Sequence, residues 1–104
     1  MIRFTAAVDA EGKIKKFTVD GHSGFAQSGE DIVCASVSST VWLTINGIEK
    51  KNLARISYTE SDGFVECTIS EKYSDGADVL LDSLIMFIIE LSGQYKDYVK
   101  FTQI

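Results

Sequence analysis

Apolar residues in this chain recur at two different periods, and the order of those periods confines it to one kind of architecture. Ile2, Phe4, Ala6 and Val8 alternate with Arg3, Thr5 and Ala7, the period of a half-buried strand. Asp9-Ala10-Glu11-Gly12 supplies a turn, and Lys13 to Gly21 reads as the returning strand, with Phe17 and Val19 inward. From Asp31 to about Lys50 the spacing changes: Val33, Val37, Val41, Ile45 and Ile48 fall three or four residues apart, which is a helical stripe. Ser36, Ser38, Ser39 and Thr40 are poor helix formers, and a buried strand competes over the first half. Length favours the helix. Ala54–Thr59, the turn Glu60-Ser61-Asp62-Gly63 and Phe64–Ser70 form a second hairpin, with Asp-Gly as its signal. A long apolar helix from Asp75 to about Tyr95 and a short strand, Val99–Gln103, complete the chain.

The order β-β-α-β-β-α-β predicts an α+β fold: one small mixed β-sheet with two helices packed against it. At 104 residues, with no proline, repeat or low-complexity tract, the chain is expected to be a single domain spanning 1–104. Leu84 to Ile89 are apolar all round the second helix. Such a helix is covered on more than one side, by the sheet, the first helix or a second subunit.

Composition narrows the function. A formal charge of −5 argues against direct nucleic-acid binding, which needs a basic face. Two cysteines and one histidine, with no Cys-x-x-Cys, are too few for a zinc finger and thin for a disulfide scaffold. Free thiols in a reducing, cytoplasmic compartment are the expectation, with neither metal nor cofactor. The most apolar run, Leu84–Leu91, contains Glu90 and falls well short of the roughly twenty residues of a membrane span. The start, MIRFTAAVDAEGK, reads as strand rather than targeting segment.

The chemistry concentrates at one place. His22, the only histidine, ends the second strand, and Cys34 lies twelve positions on, in the first turn of the first helix. The intervening loop, Ser23 to Glu30, is rich in glycine and serine, and its two ends leave one edge of the sheet. Cysteine attacks as thiolate, and a helix N-terminus or an imidazolium lowers its pKa from roughly 8.5. With Asp31 as N-cap, Cys34 is the third helical residue, where backbone amides still lack partners. A Cys–His pair there has the ingredients of acyl transfer. The plainer alternative is a small buried cysteine and a surface histidine. Cys67 shares parity with Val65 and Ile69 and is expected to be buried and inert.

The surrounding residues tip the balance. Gly21-His22-Ser23-Gly24-Phe25-Ala26, followed by Gly29-Glu30-Asp31-Ile32-Val33-Cys34-Ala35-Ser36-Val37-Ser38, resembles the ribosomal-processing cysteine protease family (Prp). Ser23 and Ser36 stand where many members carry alanine, a small-for-small change. The resemblance implies a cytoplasmic, metal-free, homodimeric enzyme. Its implied task is to remove the N-terminal extension of large ribosomal subunit protein twenty-seven, cutting after a phenylalanine. It implies Cys34 as nucleophile and His22 as general base. Gly21, Gly29, Asp31, Ser38 and Phe25 are candidates for supporting or substrate-binding roles. Asp31 is either the helix cap or an orienter of His22. Ser38 either faces substrate or bonds the Cys34 carbonyl, and Phe25 either meets substrate or anchors the loop. The glycines suit a mobile lid over the site. The other functional classes are a non-catalytic ribosome-associated binding module and a thiol redox protein, the latter weakened because no resolving cysteine lies near Cys34.

Overall fold

In the computed structural model, which describes residues 1–27 and 29–104, the two periodicities become two layers. Ser28, part of the expected loop, lies outside the described residues. Five strands, β1 (Ile2–Val8), β2 (Ile14–Asp20), β3 (Ala54–Ser61), β4 (Phe64–Lys72) and β5 (Val99–Gln103), form one sheet in the order β3-β4-β2-β1-β5. The helices are α1 (Ile32–Lys50) and α2 (Asp75–Gln94). All neighbours pair antiparallel except β1 and β5, which run parallel. The sheet is therefore mixed, in the expected element order. From the pairings, β2 and β3 run the same way, as do β4 and β5, so each helix is a crossover between parallel strands.

One face of the sheet is apolar. Phe4, Phe17 and Cys67 are fully buried on adjacent strands, where Ala6 faces Phe17 and Phe17 faces Cys67. Phe4 stacks on Phe17 at 5.5 Å and on Phe101 at 6.0 Å between ring centroids. Ile14 is buried too, although its parity opposes that of Phe17. A register shift sets Val8 against Ile14 and Ala7 against Lys16, and the extra residue resets the alternation. Onto this face α1 lays Val33, Val37, Val41, Ile45 and Ile48, and α2 lays Ala77, Leu81, Leu84, Ile88 and Leu91. By length and composition α1 would also pass for a membrane-crossing helix, a possibility the reading of Leu84–Leu91 did not raise. Its apolar stripe is turned onto the sheet.

The serine-rich half of α1 holds through its buried stripe of Val33, Val37 and Val41, and some of its hydroxyls are satisfied along the helix. Ser36 donates to the Ile32 carbonyl at 2.7 Å, Thr40 to Ser36 at 2.9 Å and Thr44 to Thr40 at 2.8 Å. Around Leu84 and Ile88, which are buried, Met86, Phe87 and Ile89 remain exposed, with Val79 one turn and more before them. The second hairpin closes more tightly than expected, with strands running to Ser61 and from Phe64 around the pair Asp62-Gly63.

At the start of α1 the Asp31 carboxylate accepts from Val33 N (3.0 Å) and Cys34 N (2.9 Å) through Oδ1. Its Oδ2 takes the Ser23 hydroxyl and, at 3.4 Å, Ala26 N. Partial burial pushes the carboxyl upward, but the bonds from Ser23, Cys34 and Ala26 outweigh it and bring the pKa down to about 2. Because the folded value lies below the unfolded one, this contribution to stability is complete above pH ~4 and is lost as pH falls towards 2. Asp31→Ala is expected to cost about 1 kcal/mol in denaturant unfolding. Asp31→Asn, which still caps but does not titrate, should lose less stability than the parent chain between pH 4 and 2, in a urea series at each pH.

Candidate active site

The end of β2, the start of α1 and the tip of the β3–β4 hairpin meet at one rim of the sheet. The meeting follows from register: Asp20 at the end of β2 faces Phe64 at the start of β4 and Arg3 near the start of β1. Gly21 turns the chain at φ +99, and its N–H donates to the Gly63 carbonyl at 2.8 Å. A side chain at Gly21 would run into the backbone of Met1, so the close approach of the two segments needs glycine there. His22 follows directly, with its carbonyl accepting from Met1 N at 2.6 Å.

Cys34 is the third residue of α1, as its spacing from Asp31 predicts. The backbone amides expected to be vacant at this helix end are not: Asp31 takes those of Val33 and Cys34 itself. The donor that reaches the sulfur comes from the loop instead, Ser23 N–H to Cys34 Sγ at 3.3 Å. Ser23 is buried and fixed by its hydroxyl on Asp31. The sulfur thus faces a donor positioned by the same carboxylate that caps the helix.

The imidazole stands across the same opening. Its side chain is 66% exposed, with Nε2 3.9 Å from an oxygen of Asp62. Among the described residues it makes no hydrogen bond to Cys34. The two side chains share the walls of two adjoining cavities, together with Ser38. One, of about 220 Å³, runs between α1 and the sheet and is lined by Val37, Val41, Trp42 and Val65, with Glu60 among its polar residues. The other, of about 450 Å³, lies under the loop against Gly24, Ala26, Gly29 and Asp31. Cys34, His22 and Ser38 form the ridge between them.

The remaining candidates are placed plainly. Asp31 is the helix cap and touches the loop, not His22. Ser38 makes no back-bond to Cys34 among the described residues, unlike Ser36, and borders both cavities. Phe25, 39% exposed, packs its ring edge-on against Tyr95 at 5.6 Å and Tyr98 at 5.3 Å, which ties the loop to the end of α2 and the segment before β5. Gly24 and Gly29 adopt φ of +73 and +89, so both turns of the loop use conformations that side chains disfavour. Cys67 is fully buried, and burial, aided by the charge of Glu49, pushes its thiol up to about 11. The sequence reading singled out neither the Ser23 amide nor the lining residues Trp42 and Glu60. Only the Asp-Gly pair of the second hairpin carried a signal, and it was that of a turn.

Comparison with known proteins agrees with this geometry. The model of a family described as cysteine protease Prp matches residues 1–100. The ribosomal processing cysteine protease Prp of Staphylococcus aureus is 26% identical over 102 residues, 96% of each chain. That of Mycoplasma pneumoniae is 30% identical over 88 residues, covering 83% of this chain and 84% of the relative. The crystal structure of the S. aureus ribosomal processing protease with a covalently linked product peptide has the same fold, at TM-score 0.94 and 24% identity over 100% of both chains. With the whole β-β-α-β-β-α-β domain matched, this chain belongs to the cysteine protease Prp family.

Proposed function

We propose that this protein removes the N-terminal extension of large ribosomal subunit protein twenty-seven, with Cys34 as nucleophile and His22 as general base and acid. The observation that carries the reading is the ridge: a helix-terminal cysteine with a backbone donor on its sulfur, and the only histidine of the chain on the same two cavities. The relatives are named ribosomal processing cysteine proteases, which supports a ribosomal protein as the substrate class.

An extended peptide crossing the ridge lays one apolar side chain into the cavity walled by Val37, Val41, Trp42 and Val65, which suits the phenylalanine that the family resemblance implies. Its other half lies under the loop. His22 takes the thiol proton as Sγ attacks the scissile carbonyl, and returns it to the departing amine. The acyl group remains as a thioester on Cys34. Water then attacks, His22 accepts its proton, and the thiol and the new carboxylate are released. No metal is needed, because the thiolate is nucleophilic enough once deprotonated.

The loop from Ser23 to Glu30 is tied at Asp31 and at the Tyr95–Tyr98 pair. Substrate binding shifts these ties and orders the loop over the peptide, so that remote contacts help assemble the site. Hydrogen exchange of residues 23–30 should slow when an uncleavable extension peptide binds; equal protection in the two states counts against gating.

The protein works as a homodimer in the cytoplasm. Met86 is 70% exposed and Val79 62% exposed on α2, with Phe87 and Ile89 also uncovered, an apolar surface suited to an interface. Light scattering at micromolar concentration should report a dimer, and Met86→Lys should shift it towards monomer. A parent chain that is monomeric under those conditions contradicts the assembly.

Catalysis is tested at the sulfur. Neutral iodoacetamide should modify Cys34 and spare Cys67, whose thiol is buried and pushed up to about 11. His22→Ala should slow that modification. Cys34→Ser should bind the extension peptide without cutting it, because a hydroxyl is far less acidic than a thiol and a Cys–His pair has no buried carboxylate to help. Cleavage by Cys34→Ser at the parent rate would remove Cys34 from the mechanism.

A further inference from the structure

The tip of the second hairpin does more than close two strands. Gly63 has φ +67, and a Cβ built on it would stand 2.7 Å from Nε2 of His22 and 3.3 Å from Cδ2 and Cε1. The Nε2 edge of the imidazole therefore lies against the bare face of Gly63. Next to it, an oxygen of Asp62 is 3.9 Å from the same nitrogen. The backbone fixes this seat: Gly63 accepts the Gly21 N–H at 2.8 Å, immediately before His22. An exposed histidine would otherwise sample several rotamers. Here one edge of the ring has a defined partner surface.

We infer that Gly63 is a positioning residue for His22. The hairpin tip receives the Nε2 edge and leaves Nδ1 as the nitrogen that exchanges the proton with Cys34. The inference rests on the Cys34–His22 reading given above and adds to it both the supporting residue and the reacting nitrogen. The neutral imidazole carries its proton on Nε2, beside Asp62, and its lone pair on Nδ1. The seat against Gly63 fixes which edge of the ring turns away from the site, and the Asp62 oxygen, at 3.9 Å outside hydrogen-bond range, favours the proton on Nε2 by its charge.

Gly12 offers a matched control. It also sits in a hairpin turn, at φ +80, but nothing lies within 4 Å of the position a Cβ would take. Gly12→Ala and Gly63→Ala thus introduce the same kind of backbone strain, and only the second displaces the imidazole. Gly63→Asn separates strain from overlap, since asparagine tolerates positive φ yet still carries a Cβ. It also keeps the test alive if Gly63→Ala folds poorly.

The experiment uses purified full-length chain, the extension peptide, and nitrogen-15 spectra of the imidazole, which is unique because His22 is the only histidine. In the parent chain at a pH where the ring is neutral, the spectrum should show the Nε2–H tautomer. Gly63→Asn should move the ring towards a tautomer mixture and lower kcat about a hundredfold, the scale expected for misplacing a reacting group by about 1 Å, with KM little changed. Gly12→Ala should keep both the parent spectrum and the parent kcat, while Gly12→Ala and Gly63→Ala lose comparable thermal stability. A Gly63→Asn variant with the parent tautomer and parent kcat overturns the inference, as does a parent ring protonated on Nδ1. Failure of the parent chain to cleave the peptide would instead overturn the Cys34–His22 reading, and the imidazole spectra would still decide whether Gly63 seats the ring.

Discussion

One carboxylate holds the functional end of the molecule together. Asp31 closes the first turn of α1, fixes the Ser23 hydroxyl, and through Ser23 sets the N–H that points at the Cys34 sulfur. Removing its side chain would loosen three things at once: the helix that carries Cys34, the loop that follows His22, and the Ser23 donor on the thiol. This concentration has a chemical cost. The cap occupies two of the amides that a helix N-terminus would otherwise offer an anion. The donor on the sulfur comes from the loop instead. Two segments have to be in place before the sulfur is fully supported.

The two cavities give the ridge its directionality. On the α1–sheet side the walls are mostly aliphatic and aromatic, with Trp42 braced edge-on by Tyr58 at 5.5 Å. On the loop side they are glycine, alanine and the Asp31 carboxylate. A peptide lying across them meets shape and hydrophobicity on one side and mostly backbone on the other. The apolar wall stands on α1 and the sheet, elements less prone to local opening than a loop.

The element order was legible because each segment declares its period. The alternation of Ile2, Phe4 and Ala6, and the stripe from Val33 to Ile48, each depend only on near neighbours in sequence. What escaped depends on partners far along the chain. The inward turn of Ile14 needs a register shift against Val8 that no local pattern announces. The edge-on packing of Phe25 was decided by Tyr95 and Tyr98, some seventy residues away. At the site, the closeness of His22 and Cys34 could be argued from the loop that joins them. That Gly63 lies under the imidazole could not, because it follows from a contact set by the tertiary fold; the bonds of Asp31 to the Val33 and Cys34 amides, by contrast, are local and come with its place as helix cap. The serines of α1 show the opposite case. Their low propensity read as a warning, yet the helix runs through them, with Ser36 and the following Thr40 and Thr44 returning their hydroxyls to its own carbonyls.

The parallel pairing of β5 with β1 also bears on the order in which the molecule is completed. Ile2 faces Val99 and donates to the Tyr98 carbonyl, so the first strand receives its outer neighbour only when the last one arrives. Contacts of such separation form late relative to hairpins and helices, because a long stretch of chain must be closed first. The aromatic pair that pins Phe25 belongs to that same late segment. A chain still emerging from synthesis would hold the β1–β2 hairpin, α1, His22 and Cys34 while lacking the aromatic pair that packs on the loop between them. The rim that carries His22 and Cys34 is thus among the last parts of the chain to acquire its final form.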